Sequence, residues 1–420
     1  MEKAPKSLRL HIALFGRTNV GKSSFLNLLA GQDVAIVSPQ PGTTTDVVEK
    51  PMELLPLGPV VFLDTAGFGD PTVLAGARLA KTGRVFERAD VVLLIAESNR
   101  WGAEEEDIVA RAAERKLPVL AVVTKVDVTP PSESFLADLR GRSAGLIACN
   151  ATQLADRECV VTELKHLLLA VCPDDFLRPP PLIGDLVPAG GLAVLIVPID
   201  LQAPKGRLIL PQVQAIRDAL DNDAAVLVVK EREYAALLPR LGIRPAVAVC
   251  DSQVVLKMVA DTPPEVPCTT FSILFARLNG DLRQLARGAA AIDRLRSGDR
   301  VLIAESCSHH ALEDDIGRVK IPRWLRQYTG AELKFEVASG RDFPADLAEY
   351  RLVVQCGGCM NNRREMLSRL AKAAAAGVAI TNYGICIAQT QGVLRRVLSP
   401  FPAALDAYER ETADVSEVLE

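Results

Sequence analysis

Residues 16–23 read Gly-Arg-Thr-Asn-Val-Gly-Lys-Ser, a complete G-x-x-x-x-G-K-S pattern, directly after the apolar run His11-Ile12-Ala13-Leu14-Phe15. No other feature restricts the fold of this chain so tightly. The pattern needs a buried strand, a tight glycine turn and then a helix, expected here over residues 24–29. Backbone N–H groups of such a turn point at phosphate oxygens, and the helix adds the positive end of its dipole. Gly16, Asn19, Val20, Gly21 and Ser24 then form the wrapping loop, Lys22 reaches the β- and γ-phosphates, and the Ser23 hydroxyl ligates Mg²⁺.

Four further signals follow in a fixed order. Residues 41–46, Pro-Gly-Thr-Thr-Thr-Asp, offer a Thr hydroxyl to the metal; Thr44 is the expected ligand, with Thr43 and Thr45 as competitors. The run Val60-Val61-Phe62-Leu63 ends in Asp64-Thr65-Ala66-Gly67. There Asp64 can hold the metal through water, and the Gly67 N–H can meet the γ-phosphate because no side chain blocks it. Apolar strands over residues 91–96 and 119–123 come next, and the second delivers Thr124-Lys125-Val126-Asp127. An Asp127 carboxylate suits the N1–H and exocyclic amine of guanine, with the Lys125 stem packed along the base. The run over residues 145–149 leads into Asn150-Ala151, where a backbone N–H can meet the guanine carbonyl. Strands alternating with helices imply a parallel sheet that gathers ligands at the carboxyl ends of its strands.

Over residues 8–172 this set resembles the Era and tRNA-modification GTPases. The resemblance implies GTP hydrolysis with Mg²⁺, and a K⁺ ion held with the help of Asn19. Thr124 stands where an Asn usually braces both loop and base, and Asn150 where a Ser usually stands. Phe68 follows Gly67 in place of a water-orienting Gln, so slow intrinsic hydrolysis is expected.

The whole 420-residue chain is 49% hydrophobic and 24% charged, a globular composition with ample core. A net charge of −4 gives no global basic surface for nucleic acid. No apolar stretch approaches the roughly 18–20 residues that span a bilayer. The first ten residues lack a long apolar secretion signal, so the cytoplasm is the expected compartment. The nine cysteines are then thiols or metal ligands rather than disulfides. Pro and Gly clustering marks residues 176–191 as a linker, and a second break falls near 261–267. The expected fold is α/β: a P-loop GTPase domain (1–175), a small α/β domain (192–264) and a third α/β domain (265–420), with largely parallel sheets.

The third block carries a second chemistry. Apolar strands over 300–304, 351–354 and 378–381 end at Glu305-Ser306-Cys307-Ser308-His309-His310, at Gln355-Cys356-Gly357-Gly358-Cys359 and at Asn382-Tyr383-Gly384. If those strands are parallel, Cys307, Cys356 and Cys359 meet at one crevice with His309 close by. Three readings fit: buried thiols that never meet, a Cys₃His zinc site, or an iron–sulfur cluster on three Cys with an exchangeable fourth ligand. Cys149, Cys172, Cys250 and Cys268 lack partners at ligand spacing and read as core thiols. Cys386 stands near the proposed crevice.

A GTPase domain, a small middle domain and C-x-H followed by C-G-G-C resemble the HydF family, the maturation GTPases of [FeFe]-hydrogenase, across essentially the whole chain. The resemblance implies a cytoplasmic homodimer with a [4Fe–4S] cluster on Cys307, Cys356 and Cys359. It also implies a scaffold or carrier role for the di-iron precursor, with the hydrogenase apoprotein and the radical-enzyme maturases as partners and the middle domain at the dimer interface. Gln355 occupies the place of the family His, which leaves His309, water, another oxygen ligand or the precursor itself for the fourth iron. A zinc-stabilised GTPase of ribosome or RNA assembly is the alternative.

Overall fold

The computed structural model describes residues 9–32, 48–65, 83–177, 180–198, 208–306, 315–340, 343–344, 346–358 and 361–419, which divide near residue 180 into two units. The first contains β1 (Leu10–Gly16), α1 (Lys22–Ala30), β2 (Val48–Leu54), β3 (Gly58–Asp64), β4 (Val91–Glu97), α2 (Ala103–Glu114), β5 (Val119–Thr124), α3 (Glu133–Arg142), β6 (Gly145–Ala148) and α4 (Arg157–Val171). The sheet order is β2-β3-β1-β4-β5-β6, parallel except for β2 against β3. On β1, Leu10, Ile12 and Leu14 enter the core beneath α1 and α4, while Ala13 and Phe15 enter the opposite core with Phe86 and Ile108. A strand buried on both faces needs an unbroken apolar run, which is what made the central strands readable. β2 was not: it is a polar edge strand in which Pro51 pairs opposite Val61.

The second unit holds two four-stranded, wholly parallel sheets. The first comprises β7 (Leu192–Ile196), α5 (Leu210–Asp221), β8 (Ala225–Val229), β9 (Val247–Cys250), α6 (Val255–Asp261), β10 (Cys268–Thr270) and α7 (Phe271–Asn279). After α8 (Leu282–Ala289) come β11 (Arg300–Ala304), α9 (Ile321–Thr329), β12 (Lys334–Ala338), β13 (Leu352–Gln355), α10 (Arg363–Ala375), β14 (Ala379–Asn382), α11 (Tyr383–Thr390) and α12 (Pro402–Leu419). The orders β8-β7-β9-β10 and β12-β11-β13-β14 are the same topology built twice.

Each last strand runs straight into a helix capped by its own final residue. Thr270 Oγ1 accepts from Ile273 N–H (3.2 Å) and Asn382 Oδ1 from Ile385 N–H (2.8 Å). The two helix starts meet: Asn382 Nδ2 donates to Ser272 O (2.9 Å), and Gly384 N–H to Ser272 Oγ (3.2 Å). A Cβ on Gly384 would lie 2.5 Å from that of Ser272, so the approach requires glycine. One continuous hydrophobic core serves both sheets.

Two expected boundaries shift. β10 pairs with β9, with Thr270 opposite Cys250, and so belongs to the middle sheet rather than to a third domain starting at 265. The prolines at 263–267 interrupt a connection, not a domain. Residues 180–191 are likewise no free linker, because Leu182, Ile183 and Val187 are buried in the core. Asp218 accepts from the Ile183 and Gly184 N–H groups (2.7 and 2.8 Å), and Arg277 forks onto Asp185.

Candidate nucleotide site and a cysteine-bearing sheet edge

The strand β1, the turn and α1 form as the sequence requires. Gly16 has φ +153°, and a Cβ there would overlap the Ile95 carbonyl of β4; Asn19 (φ +61°) and Gly21 (φ +104°) complete the turn. Lys22 is 8% exposed and lies across the loop, donating from Nζ to Gly16 O (2.9 Å) and Arg17 O (2.8 Å). Burial depresses its pKa to about 8, with the Asp64 charge opposing. Burial raises Asp64 in turn, against Lys22 and Lys50. An ammonium and a carboxylate therefore face each other at the adjacent carboxyl ends of β1 and β3. That is where phosphates and their metal belong in a parallel sheet.

Arg17, inside the loop, carries a role that the sequence reading missed. Its Nε and Nη2 fork onto Glu105 Oε1 and Oε2 (2.6 and 2.7 Å) in the first turn of α2, and Glu104 lies 3.1 Å away. Glu105 is 1% exposed and also accepts from Gly102 N–H (2.9 Å). Burial pushes its pKa up, and the Arg17 fork and the backbone N–H outweigh that and hold it below the usual carboxylate range. The only sequence signal was an acidic first turn eighty-odd residues away, and spacing alone does not connect the two.

The turn expected to read the base lies at the end of β5. Thr124 is entirely buried, and its hydroxyl donates to Val20 O (2.6 Å), with Ala96 O at 3.2 Å. The threonine thus keeps the loop-bracing half of the role expected of an Asn. Lys125 (φ +58°) places Nζ 3.1 Å from Glu97 Oε1. Burial works to raise the pKa of Glu97, and the bonds from Lys125 and Arg100 outweigh it and hold the carboxyl low. Asp127 is exposed. Asn150 Oδ1 accepts from both Thr152 N–H (3.0 Å) and Thr152 Oγ1 (2.7 Å), which fixes the last turn, and Ala151 follows it, buried. The sheet brings Gly16–Ser24, Asp64, Thr124–Asp127 and Asn150–Ala151 to one edge; Thr44 and Gly67 lie outside the described residues.

At the carboxyl edge of the last sheet, β11 and β13 are neighbours, with Ala304 opposite Gln355. The connections from these strands leave in opposite directions, so the crevice between them is a topological switch point. Cys356 opens it. Its Sγ accepts Ser306 N–H (3.1 Å) and lies 3.1 Å from Ser306 Oγ and 3.5 Å from Gln355 Nε2. Gly358 (φ +69°) turns the chain, and a Cβ there would come within 2.8 Å of Met366 Sδ. Gln355 is entirely buried, and its Oε1 accepts from Arg369 Nη1 (3.0 Å), itself anchored on Gly340 O (2.9 Å). The residue at the family His position is therefore a brace with its carbonyl oxygen already engaged.

Cys307, His309 and Cys359 lie outside the described residues, and among the described ones no three His, Cys, Asp or Glu are grouped to hold a metal. Cys386 belongs to the shared core, where burial pushes its pKa up to about 12. Burial likewise raises Cys149 to about 12, Cys268 to about 11, and Cys250 well above the usual thiol value. These are core thiols, as expected.

Residues 182–280 match the family model of the hydrogen maturase F dimerization domain, and residues 283–400 that of its tetramerization domain. The chain belongs to the HydF family. Its dimerization segment runs from the buried Leu182 past the end of α7, the same extent as the middle sheet with its helices. Residues 11–125 match the 50S ribosome-binding GTPase model. The first unit of this HydF chain is accordingly a GTPase domain, which brings GTP and Mg²⁺ as ligands. The tRNA modification GTPase MnmE of Nitrosomonas europaea is 40% identical over 144 residues, 34% of this chain and 31% of the relative. That of Syntrophobacter fumaroxidans is 37% identical over 164 residues, 38% and 34% of the two chains. The chain thus spans about a third of the length of these curated relatives. A crystal structure of an Aquifex aeolicus Era variant bound to GDP and aluminium fluoride is 21% identical, with a TM-score of 0.35 over 56% of this chain and 98% of that one. No helix among the described residues is long and apolar enough to cross a membrane.

Proposed function

We propose that this chain is a cytoplasmic, GTP-hydrolysing scaffold that holds a [4Fe–4S] cluster on Cys307, Cys356 and Cys359 and delivers a di-iron precursor to [FeFe]-hydrogenase. The hydrogenase apoprotein and the radical-enzyme maturases are then its partners. The observation that carries the reading is the bond from Ser306 N–H to Cys356 Sγ: the residue just before Cys307 already touches the first sulfur of C-x-x-C. A cluster bound there would supply iron sites for the cargo, while the surrounding N–H donors hold its thiolates. With Gln355 engaged by Arg369, the fourth iron falls to His309 or to a non-protein ligand.

In the first unit, Lys22, Ser23, Thr44, Asp64 and Gly67 bind the phosphates and Mg²⁺, and Asp127, Lys125 and Ala151 hold guanine. Asn19 helps hold K⁺, a role that hydrolysis at equal rates in Na⁺ and K⁺ would rule out. Self-association follows from the dimerization and tetramerization domains. The open side of β8 suits the dimer, because β8 is a sheet edge flanked by the exposed Val228, Val213 and Leu220.

Anaerobic purification with iron and acid-labile sulfide analysis is the deciding experiment. Iron and sulfide near four per chain are expected, falling in Cys356→Ser and retained in a folded Lys22→Ala variant that no longer hydrolyses GTP. Colourless protein with stoichiometric zinc would support the zinc-stabilised GTPase instead.

A further inference from the structure

Guanine offers two donors on its N1/C2 edge and two acceptors, O6 and N7, on the other. Reading N7 requires a protein donor. An Asn at position 124 would have two amide protons, one for the phosphate loop and one for the base. Thr124 has a single hydroxyl proton. Val20 O takes it at 2.6 Å, and the next acceptor in reach, Ala96 O at 3.2 Å, is another backbone carbonyl. The Thr124 carbonyl is taken as well, by Ser98 N–H (3.1 Å), and the side chain is 0% exposed.

We infer that this GTPase leaves N7 of guanine unread, so that its substrates extend to guanine nucleotides altered at position 7, 7-deazaguanine nucleotides among them. Selection for guanine then falls on Asp127 and the Ala151 N–H. Thr124 is a positioning residue for the phosphate loop, acting through the Val20 carbonyl.

The inference rests on the assignment of Asp127 as the guanine-binding carboxylate, and the test separates the two. Affinities for GDP and 7-deaza-GDP are measured by calorimetry on the full chain. The wild type should bind both within about twofold, whereas Thr124→Asn should prefer GDP by about fivefold, the worth of one neutral hydrogen bond. Thr124→Val should weaken both nucleotides alike, by about tenfold, because the buried Val20 carbonyl loses its donor. A wild-type preference for GDP of fivefold or more overturns the inference, and so does an unchanged ratio in Thr124→Asn. The Asp127 assignment is tested apart from these, by Asp127→Asn: a gain of xanthosine diphosphate binding with loss of GDP upholds it. Failure of that exchange overturns the guanine site itself, whatever the 7-deaza ratio.

Discussion

Lys22 shows what a single buried cation does to a binding curve. Its ammonium lies over two loop carbonyls with its pKa at about 8, held down by burial. Phosphate oxygens beside the ammonium raise that value in the complex, so binding above pH 8 takes up a proton. Affinity for GTP should then be flat below pH 8 and fall by up to about tenfold per pH unit above it. A pH series in two buffers of different ionisation heat would show the proton uptake directly. Around Lys22 the phosphate loop was legible because its spacing is local and its residue types have few other uses. The Arg17–Glu105 fork and the hydroxyl brace of Thr124 were not legible. Each joins residues from separate strands or helices, and only the sheet order sets their distance.

Elements divide by burial. The central strands β1, β4, β5, β11 and β13 announce themselves as apolar runs, whereas β2 and β12 carry Lys and Glu, and β2 also Pro, because an edge strand keeps one side in water. Glycine marks another constraint that periodicity does not carry. Within α8, a Cβ on Gly288 would overlap the Ile380 carbonyl of β14, so helix and strand backbones touch there. Gly288→Ala should cost about 3 kcal/mol or more, because backbone rather than a flexible side chain must move. Thermal unfolding of this variant, followed by circular dichroism, should show the second unit melting early while nucleotide binding by the first unit persists.

On the scale of the whole chain, the repeated β-sheet topology was invisible to the sequence. β7 and β11 read Leu-Ala-Val-Leu-Ile and Arg-Val-Leu-Ile-Ala, alike only in being apolar, and a single Pro-rich connection hid the strand that completes the first copy. The interface proposed at the β8 sheet edge is tested at this scale. Val228, 41% exposed in an edge strand, is the place to break it. Val228→Lys should lower the sedimentation mass of the purified protein towards the monomer, as lysine on a sheet edge opposes pairing. Normal mass in that variant would move the interface elsewhere. The contact of Ser272 with Asn382 and Gly384 has a mechanical consequence. Each copy clasps the start of the other's terminal helix, so the two halves form one rigid mould rather than a pair of hinged jaws. Drawing the halves apart would break those bonds and bare the shared apolar core to water.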